Sequence, residues 1–288
     1  MEPEDVTLVV PCYNVAGTLP QVLDSIECLD PPPSRVICID DGSTDGTKEI
    51  IRSHDGVELV EHPHNKGIGA TLNTGLLRTT TSGLAKVDAD IVVEPDWLGK
   101  LCEACWAHDT DVVQGRFQEQ PTTTADRWRE RHLLPDFRDE PIFNKPINGS
   151  NILCRTEALR AVGGWDERYV RAFDDIDLFQ RLIANGYRVY YTPEVVTTHL
   201  RTDTRREILR AAWAYHYDSL SRDNGRLPPR QGSEVLRRMP RMLSRTAKSV
   251  RADIQSGDLD LLWISLLRPL YHLKWDVESV RGDDIDGE

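Results

Sequence analysis

The stretch SGLAKVDADIVVEPDW, residues 82–97, contains the residues with the clearest capacity for chemistry, two aspartates separated by one alanine. Alternate residues of a β-strand share a face, so a strand through this stretch would direct Asp88 and Asp90 to the same side. We assign LAKV to an apolar strand and therefore expect neither aspartate to have a cationic neighbour. Two neighbouring carboxylates repel each other, so they either stand in water or bind a divalent cation.

Polar residues also follow the other predicted strands. VVPCYN ends the first strand with Pro11, Tyr13 and Asn14, and ICIDDGSTDGT ends the second with Asp40 and Asp41. An aromatic ring, a hydrogen-bonding carboxylate and a carboxylate pair at one sheet edge suit a base, a ribose and a metal-bound diphosphate. Neither part is decisive alone, because DGSTDG is a common turn sequence and aspartate pairs often end strands in solvated loops.

The sequence contains no backbone cradle for phosphate. No G-x-x-x-x-G-K-[ST] follows a predicted strand, and the first turn has the single glycine Gly17, which excludes a dinucleotide-binding fingerprint. The run from Asp88 also lacks the glycine and the glutamate of an EF-hand calcium loop. The sequence therefore predicts that Asp88 and Asp90 hold a diphosphate through Mg²⁺ or Mn²⁺.

The elements that must position these residues alternate between strand and helix. Between residues 6 and 116, Val- and Ile-rich runs predict strands at VTLVVPC, RVICID, VELVE, LAKVDAD and DVVQG, with apolar residues at helical spacing between them. This alternation predicts an α/β fold with a Rossmann-like, mostly parallel sheet flanked by helices, which binds ligands beyond the carboxyl ends of its strands. Residues 117–146 are predicted to form an insertion or an irregular helix, and strand and helix signals resume up to His199.

Six stretches occur in an order that resembles a known family. They are VVPCYNVAGTLPQVLDSI, ICIDDGSTDGT, HNKGIGATLNTGL, KVDADIVVEPDWL, GGWDER and FDDIDLFQRLIANGYRVYYTPEVVTTH. Together they resemble glycosyltransferase family 2, and the resemblance covers roughly residues 4–200. It implies a GT-A fold and inverting transfer of a sugar from a nucleotide-diphospho-sugar to a hydroxyl of a glycan or of a polyprenol-phosphate-linked acceptor.

The resemblance also implies roles for single residues. It implies a nucleotide-sugar site that includes Pro11, Tyr13, Asn14, Asp41, Lys66, Asn73 and Asp88. It makes Asp90 the principal metal ligand, with Asp88 beside it, and it matches His199 to a histidine that binds the metal in some relatives. An ordinary histidine at a strand end is an equal alternative for His199. The loop GGWDE, with Trp165 and Asp166, would border the acceptor.

The stretch FDDIDL implies a general base. It matches the family's E-D-x-D-L with Asp175 at the place of the catalytic base, while Asp174 replaces the usual glutamate. An inverting displacement needs a base to take the proton of the acceptor hydroxyl as attack proceeds. We expect backbone N–H groups at the start of the following helix to keep Asp175 ionised. The alternative is that Asp174 or Asp175 is only the N-cap of that helix.

The C-terminal region, residues 201–288, is predicted to be helical and partly basic, following a catalytic domain over residues 1–200. Residues 201–251 contain 13 Arg or Lys and five Asp or Glu, in a chain of net charge −12. Helical spacing places four cations on one face, namely Arg238, Arg241, Arg245 and Lys248, and an apolar stretch with Trp263, Tyr271 and Trp275 follows. The region either lies on an anionic membrane surface or packs on the catalytic domain. The acidic remainder of the chain argues against nucleic-acid binding.

Composition bounds the location and the rival functions. The acidic start MEPEDV and the lack of an apolar run of about 18 residues predict a cytoplasmic protein, or one attached to the inner face of the cell membrane. The abundance of Asp and Arg against seven Lys is typical of salt-loving organisms and suggests a halophilic archaeal source.

The alternative functions are a non-catalytic nucleotide-sugar-binding protein and, less favoured, a sugar-phosphate nucleotidyltransferase. The nucleotidyltransferase is less favoured because PCYNVAGT lacks the Gly-rich, Arg-containing loop of that class.

Overall fold

A computed structural model of the chain describes residues 2–135, 137–169, 173–224 and 232–281. The chain forms two compact units. The first comprises Met1–Gln120 and Pro135–Arg201, and the second comprises Pro121–Leu134 and Thr202–Glu288. Parts of the predicted C-terminal region, residues 225–231 and 282–288, lie outside the described residues. The first unit contains every residue that was predicted to bind donor, metal or acceptor or to act as the base.

The first unit is built on one sheet, which has nine strands in the described part of the chain. In chain order the strands are β1 (Val6–Cys12), β2 (Arg35–Asp40), β3 (Val57–Glu61), β4 (Gly83–Val87), β5 (Ile91–Val92), β6 (Val112–Glu119), β7 (Ile142–Phe143), β8 (Asn151–Arg155) and β9 (Val189–His199). Their order across the sheet is β3-β2-β1-β4-β8-β6-β9-β5, with β7 paired to β9. Strands β3, β2, β1 and β4 are parallel, as are β6 and β9, whereas β8 runs antiparallel between β4 and β6. The predicted α/β class is confirmed, and β8 interrupts the parallel part of the sheet.

Helices cover both faces of this sheet. The helices of the chain are α1 (Leu19–Glu27), α2 (Thr47–Ser53), α3 (Ile68–Arg78), α4 (Trp97–Ala107), α5 (Thr124–His132), α6 (Thr156–Ala161), α7 (Asp174–Ala184), α8 (Arg205–Asn224), α9 (Gly232–Ser256) and α10 (Leu262–Arg281). All of β1 is buried, and strand alternation directs Leu8 and Val10 into one core cluster and Val9 into another. The first cluster includes residues of α1 and α4, and the second includes residues of α3 and α7. The result is a three-layered unit.

The sequence of α1 explains how such a buried face arises. Its buried residues, Leu19, Val22, Leu23 and Ile26, are three or four positions apart, which brings their side chains to one side of a helix. Pro20 in the first turn costs no hydrogen bond, because the N–H groups there have no helical partner. Burial of each large apolar side chain contributes roughly 1.5–3 kcal/mol. This face fixes the start of α1, and with it the preceding loop, against the sheet.

The second unit consists of α5, α8, α9 and α10. A capping box starts α5, because Thr123 Oγ1 accepts from Asp126 N at 3.1 Å and Asp126 Oδ2 accepts from Thr123 N at 2.9 Å. The core of the unit includes Trp128, Trp213 and Trp275. Residues 117–146, predicted as an insertion or an irregular helix, thus contain a regular capped helix, the end of β6 and the short strand β7. Within the described residues, no helix has the length and apolar character that a membrane span requires.

Candidate active site

The D-A-D stretch lies in a turn just beyond the carboxyl end of β4. β4 ends at Val87, and Ile91 N donates to Asp88 O at 3.0 Å to close the turn. Asp88 N donates to Ser150 O at 3.0 Å, and the pairing of β5 with β9 aligns Ile91 with His199. Backbone bonds therefore hold the turn from two directions, and both aspartates are half-buried at the edge of the sheet.

A buried lysine lies beside the two aspartates. Lys86 is 5% exposed on β4, and its Nζ lies 2.5 Å from Asp88 Oδ1 and donates to Gly149 O at 2.7 Å. The expectation of no cation near the pair in sequence is therefore wrong. The pKa of Asp88 is nevertheless raised. Burial and the nearby charge of Asp90 raise this pKa by more than the charge of Lys86 lowers it.

A histidine bridges two carboxylates at the other end of the turn. His199 Nε2 lies 3.2 Å from Asp90 Oδ2, and His199 Nδ1 lies 2.8 Å from Glu119 Oε1. Burial alone lowers the pKa of His199, but the hydrogen bonds to Asp90 and Glu119 raise it to about 9. Burial alone would raise the pKa of Asp90, but the bond to His199 lowers it. In the protein alone, the protonated imidazole of His199 therefore donates from Nε2 to Asp90 and from Nδ1 to Glu119.

The same arrangement suits a divalent cation. Glu119 accepts a hydrogen bond from Nδ1 and so directs Nε2 toward Asp90, which is how a carboxylate commonly orients a metal-binding histidine. The described residues contain no cluster of three or more His, Cys, Asp or Glu side chains that could hold a metal. Mg²⁺ and similar ions often bind one or two protein ligands and complete their shell with phosphate oxygens and water. Asp90 and His199 fit a site of that kind, while Asp88 is paired with Lys86 and its role as a metal ligand stays a prediction.

The acidic pair at the start of α7 lies beside a glycine, with Asp174 buried and Asp175 half-buried. The helix begins at Asp174, after Phe173 with a φ of 66°, and no side chain caps it. The interpretation of either aspartate as the N-cap is therefore wrong. Asp175 Oδ1 accepts from Ile176 N at 2.7 Å, and a Cβ added to Gly149 would lie 2.3 Å from Asp175 Cβ. The backbone at Gly149 thus packs directly against Asp175.

Burial sets the protonation of both aspartates. Burial raises the pKa of Asp175. Lys86 and the backbone N–H groups of Ile176 and Gly149 lower it, but their combined effect is smaller. The backbone N–H groups therefore lower this pKa, as expected, but burial outweighs them. Burial and the charge of Asp175 raise the pKa of Asp174 to about 7. The pair thus offers carboxylates that are more basic than exposed ones.

The predicted donor side contains exposed side chains over an ordered backbone. Tyr13 is 48% exposed and the Lys66 side chain is also exposed, whereas Asp41 is buried. Asp41 accepts from His62 Nδ1 at 2.7 Å and from the backbone N–H groups of Lys66 and Gly67, each at 2.9 Å. Asp41 therefore fixes the loop that carries Lys66, and its predicted contact with a nucleotide base stays a prediction.

The loop after β1 is fixed in a similar way. Asn14 adopts a φ of 51°, its N donates to Ser43 Oγ at 2.9 Å, and its Oδ1 accepts from Thr44 N at 2.9 Å. Pro11 is buried within β1. The polar turns after β1 and β2 thus hold each other, and they leave Tyr13 at the surface.

The predicted acceptor loop is attached to α3 through one amide. Asn73 Oδ1 accepts from Trp165 N, and Asn73 Nδ2 donates to Trp165 O, both at 2.9 Å. Trp165 is 3% exposed and belongs to the core, so its indole anchors the loop to the core. Asp166 is bound by its neighbour Arg168, whose Nε donates to Asp166 Oδ1 at 3.0 Å. Asn73, predicted on the donor side, contacts the acceptor loop, and Asp166 stays a prediction.

Three residues that complete these contacts were not predicted from the sequence. Lys86 had a readable signal, because it is two positions before Asp88 at the end of a buried strand. His62 follows β3 directly, where parallel strands bring their ends together. Glu119 pairs with His199 in the register of β6 and β9, a contact between residues 80 positions apart that no local pattern indicates.

Sequence comparisons match most of the chain. A model described as Glycosyl transferase family 2 matches residues 7–161, and one described as Glycosyl transferase family group 2 matches residues 85–275. The chain is similar to the pre-mycofactocin glycosyltransferase of Mycobacterium tuberculosis, with 33% identity over 226 residues, which are 73% of this chain and 46% of the relative. It is also similar to glycosyltransferase AglE of Haloferax volcanii, with 24% identity over 67% of this chain and 66% of the relative. The chain thus spans about half the length of the mycobacterial relative.

Solved structures share the fold at low sequence identity. Mannosyltransferase PcManGT from Pyrobaculum calidifontis, in complex with GDP-Man and Mn²⁺, has a TM-score of 0.61 at 21% identity, over 100% of this chain and 89% of that one. S. aureus TarS 1-349 in complex with UDP-GlcNAc has a TM-score of 0.59 at 15% identity, over 100% and 94% of the two chains. These similarities confirm the predicted GT-A fold with a helical C-terminal region.

Proposed function

This chain belongs to glycosyltransferase family 2, and we propose that it transfers a sugar, with inversion, from a nucleotide-diphospho-sugar to a hydroxyl of a glycan or lipid-linked acceptor. One observation carries the proposal. The carboxylates at the sheet edge form a continuous electrostatic cluster, from Asp90 with His199, through Asp88 with Lys86, to Asp175. Such a cluster offers a cation site at one end and a base at the other.

The donor side is assigned to the turns after β1, β2 and β3. Tyr13 and Lys66 are the exposed side chains there, and they suit an aromatic base and an anionic phosphate. Asp41 supports this surface from below by binding the Lys66 loop. The similarity to structures that contain GDP-Man and UDP-GlcNAc supports a nucleotide sugar as the donor.

Asp90 and His199 are assigned as the protein ligands of a divalent cation. A bound Mg²⁺ or Mn²⁺ would supply positive charge to the departing nucleoside diphosphate. For this, His199 gives up the proton on Nε2 while Glu119 keeps the proton on Nδ1. Asp88, whose Oδ1 contacts Lys86, leaves its other oxygen for the donor or for the cation.

Asp175 is assigned as the general base. Its raised pKa makes the carboxylate a better proton acceptor than an exposed aspartate, while Lys86 and two backbone N–H groups favour its ionised form. In a single displacement it takes the proton of the acceptor hydroxyl as that oxygen attacks the anomeric carbon. The neighbouring Asp174, with a pKa of about 7, is the second candidate at this position.

The C-terminal region has a proposed contact with an anionic membrane. On α9, Leu236, Leu243 and Ile254 are exposed along one edge of the solvent-facing side, and helical spacing places the exposed cations Arg241, Arg245 and Lys248 along its other edge. This surface suits an interfacial helix and a lipid-linked acceptor. The predicted role of the aromatic stretch changes, because Trp275 is 4% exposed in the core and Trp263 packs against Arg205 at 4.1 Å.

Vesicle sedimentation tests the membrane contact. Arg241→Gln/Arg245→Gln/Lys248→Gln should bind anionic vesicles more weakly than the wild type, because each cation contributes about 1 kcal/mol near such a surface. The matched control changes three exposed cations of the first unit, Arg52, Lys100 and Arg188, to glutamine. Equal binding by both triple variants, or no binding by the wild type, would leave packing within the protein as the role of α9.

A panel of sugar nucleotides tests the catalytic proposal. With Mn²⁺ or Mg²⁺, the wild type should release nucleoside diphosphate from at least one donor, and Asp90→Asn should abolish the release and the metal-dependent binding of that donor. Asp175→Asn should leave donor affinity within a few-fold and reduce turnover by 10² or more, as expected for loss of a general base. Donor binding without release would favour the non-catalytic binding protein, and release of pyrophosphate from a nucleoside triphosphate would favour a nucleotidyltransferase.

A further inference from the structure

We propose that Lys86 is a positioning residue that connects the two ends of the candidate site. Its ammonium binds Asp88 on the donor side and, through the carbonyl of Gly149, the backbone that packs against Asp175. This inference rests on the proposed function, because it assigns to one residue the alignment of donor and base. It adds a residue to the site that neither touches the reacting atoms nor binds the cation.

The location of Lys86 is unusual for a lysine. It lies on β4 between β1 and β8, aligned with Val9 on one side and Ile152 on the other, and it is 5% exposed. Burial of an ammonium is costly unless the charge is paired and hydrogen-bonded. Both conditions are met here, by the Asp88 carboxylate at 2.5 Å and the Gly149 carbonyl at 2.7 Å.

The contact with Gly149 reaches a loop that is held from other sides as well. Gln114 is fully buried on β6, and its Oε1 accepts from Ile147 N at 2.8 Å and from Asn148 N at 3.1 Å. The next residue after Gly149, Ser150, accepts the N–H of Asp88 at 3.0 Å. Residues 147–150 are therefore a rigid bridge between the D-A-D turn and α7.

Glycine is required on this bridge because of Asp175. A Cβ at position 149 would lie 2.3 Å from Asp175 Cβ and 2.6 Å from Asp175 Oδ2, closer than real side chains approach. Displacement of the Gly149 backbone would therefore displace the proposed base. Lys86 holds that backbone by its carbonyl, so the position of Asp175 depends on Lys86.

The charges support the same connection. Burial lowers the pKa of Lys86, but the carboxylates of Asp88, Asp174 and Asp175 raise it above its usual value, so the side chain stays an ammonium. Lys86 in turn opposes the effect of burial on each of these three carboxylates. One cation therefore balances acids from both ends of the site.

A double-mutant cycle with Asp175 tests the proposal. Lys86→Met keeps most of the length of the side chain and removes the charge, and we expect turnover to fall by about 10- to 100-fold, within the contribution of a well-placed base. In the Asp175→Asn background the same change should alter turnover by less than about threefold, because the base through which Lys86 acts is gone. Lys86→Arg, which keeps the charge, should recover part of the loss. The matched control is Lys100→Met, an exposed lysine on α4 whose ion pair is with Asp96.

A stability cycle provides a second measurement that needs no donor. Lys86→Met should lower the Tm of the wild type by about 5 °C or more, and it should lower the Tm of Asp175→Asn by clearly less, because that variant has one fewer carboxylate to balance. Asp175→Asn is also the background in which Lys86→Met has the better prospect of folding. If the wild type releases nucleoside diphosphate from no donor, the proposed function fails, while the Tm cycle still decides the connection between Lys86 and Asp175.

Additivity would overturn the inference. Equal losses of turnover from Lys86→Met in both backgrounds, or equal Tm losses in both, would make Lys86 an independent structural residue. Calorimetry with GDP and UDP in the presence of Mn²⁺ measures donor affinity separately. If Lys86→Met loses only this affinity, Lys86 acts through Asp88 alone and does not position Asp175.

Discussion

Replacement of Glu119 by glutamine tests how the protein prepares His199 for a cation. The Glu119 side chain is fully buried, and its Oε1 lies 2.8 Å from His199 Nδ1. Glutamine keeps the shape of the side chain and an acceptor oxygen but removes the charge. A hydrogen bond to a charged group contributes about 1.5–3 kcal/mol, and one between neutral groups about 0.5–1.5 kcal/mol. The change should therefore cost about 1–1.5 kcal/mol of metal binding.

That free energy corresponds to about a tenfold weaker affinity for Mn²⁺. The assay is a titration with Mn²⁺ at saturating donor, read by release of nucleoside diphosphate, together with calorimetry of Mn²⁺ binding in the presence of GDP or UDP. At saturating Mn²⁺ the turnover of Glu119→Gln should return to within about threefold of the wild type. Glu103→Gln, an exposed residue of α4, serves as the control. An unchanged Mn²⁺ requirement, or a loss of turnover that Mn²⁺ does not restore, would refute the assignment of His199 as a ligand.

Three further predictions concern groups outside the direct chemistry. Burial raises the pKa of Asp276 to about 6 despite the hydrogen bond from Trp213. This folded-state pKa exceeds the usual value of 3.8, so ionisation of Asp276 destabilises the folded state. The free energy of unfolding is therefore unaffected below about pH 4 and falls as the pH rises through 6. Asp276→Asn should thus raise the free energy of unfolding by roughly 1–2 kcal/mol at pH 8 and leave it unchanged at pH 4, measured by urea denaturation. Trp275→Ala should cost about 3–5 kcal/mol in the same measurement, and a cost below about 1 kcal/mol would place this indole outside the core. Asp41→Asn should cost about 1–3 kcal/mol and raise the KM for the donor, because the Lys66 loop loses its charge-assisted bonds; an unchanged KM would separate that loop from the donor.

The fold was largely readable from the sequence because its signals are local. Short Val- and Ile-rich runs and amphipathic helices such as α1 mark the elements of the first unit, and strand–helix alternation fixes the class. The antiparallel strand β8 was less readable, because its buried sequence NILCR resembles that of a parallel strand. The C-terminal region showed the same limit, since Trp275 fits both an interfacial helix and a helical core.

The placement of these side chains in the fold was predicted better than their contacts. Asp88, Asp90, Asp175 and His199 lie in one unit around one sheet edge, as their places at strand and helix ends indicated. The contact between Asp90 and His199 joins residues 109 positions apart, so only the tertiary fold shows it. Lys86 was readable from its spacing to Asp88 and was missed because it was assigned to the apolar strand.

The anomeric configuration of the released sugar tests the central claim most directly. Water can replace the acceptor in a slow hydrolysis, so the measurement needs only a donor, such as GDP-mannose or UDP-GlcNAc, with Mn²⁺ and enzyme. Early ¹H NMR spectra, recorded before mutarotation, should show the anomer opposite in configuration to the donor, and Asp175→Asn should suppress its formation. Release of a sugar with retained configuration would contradict a single displacement with Asp175 as the base.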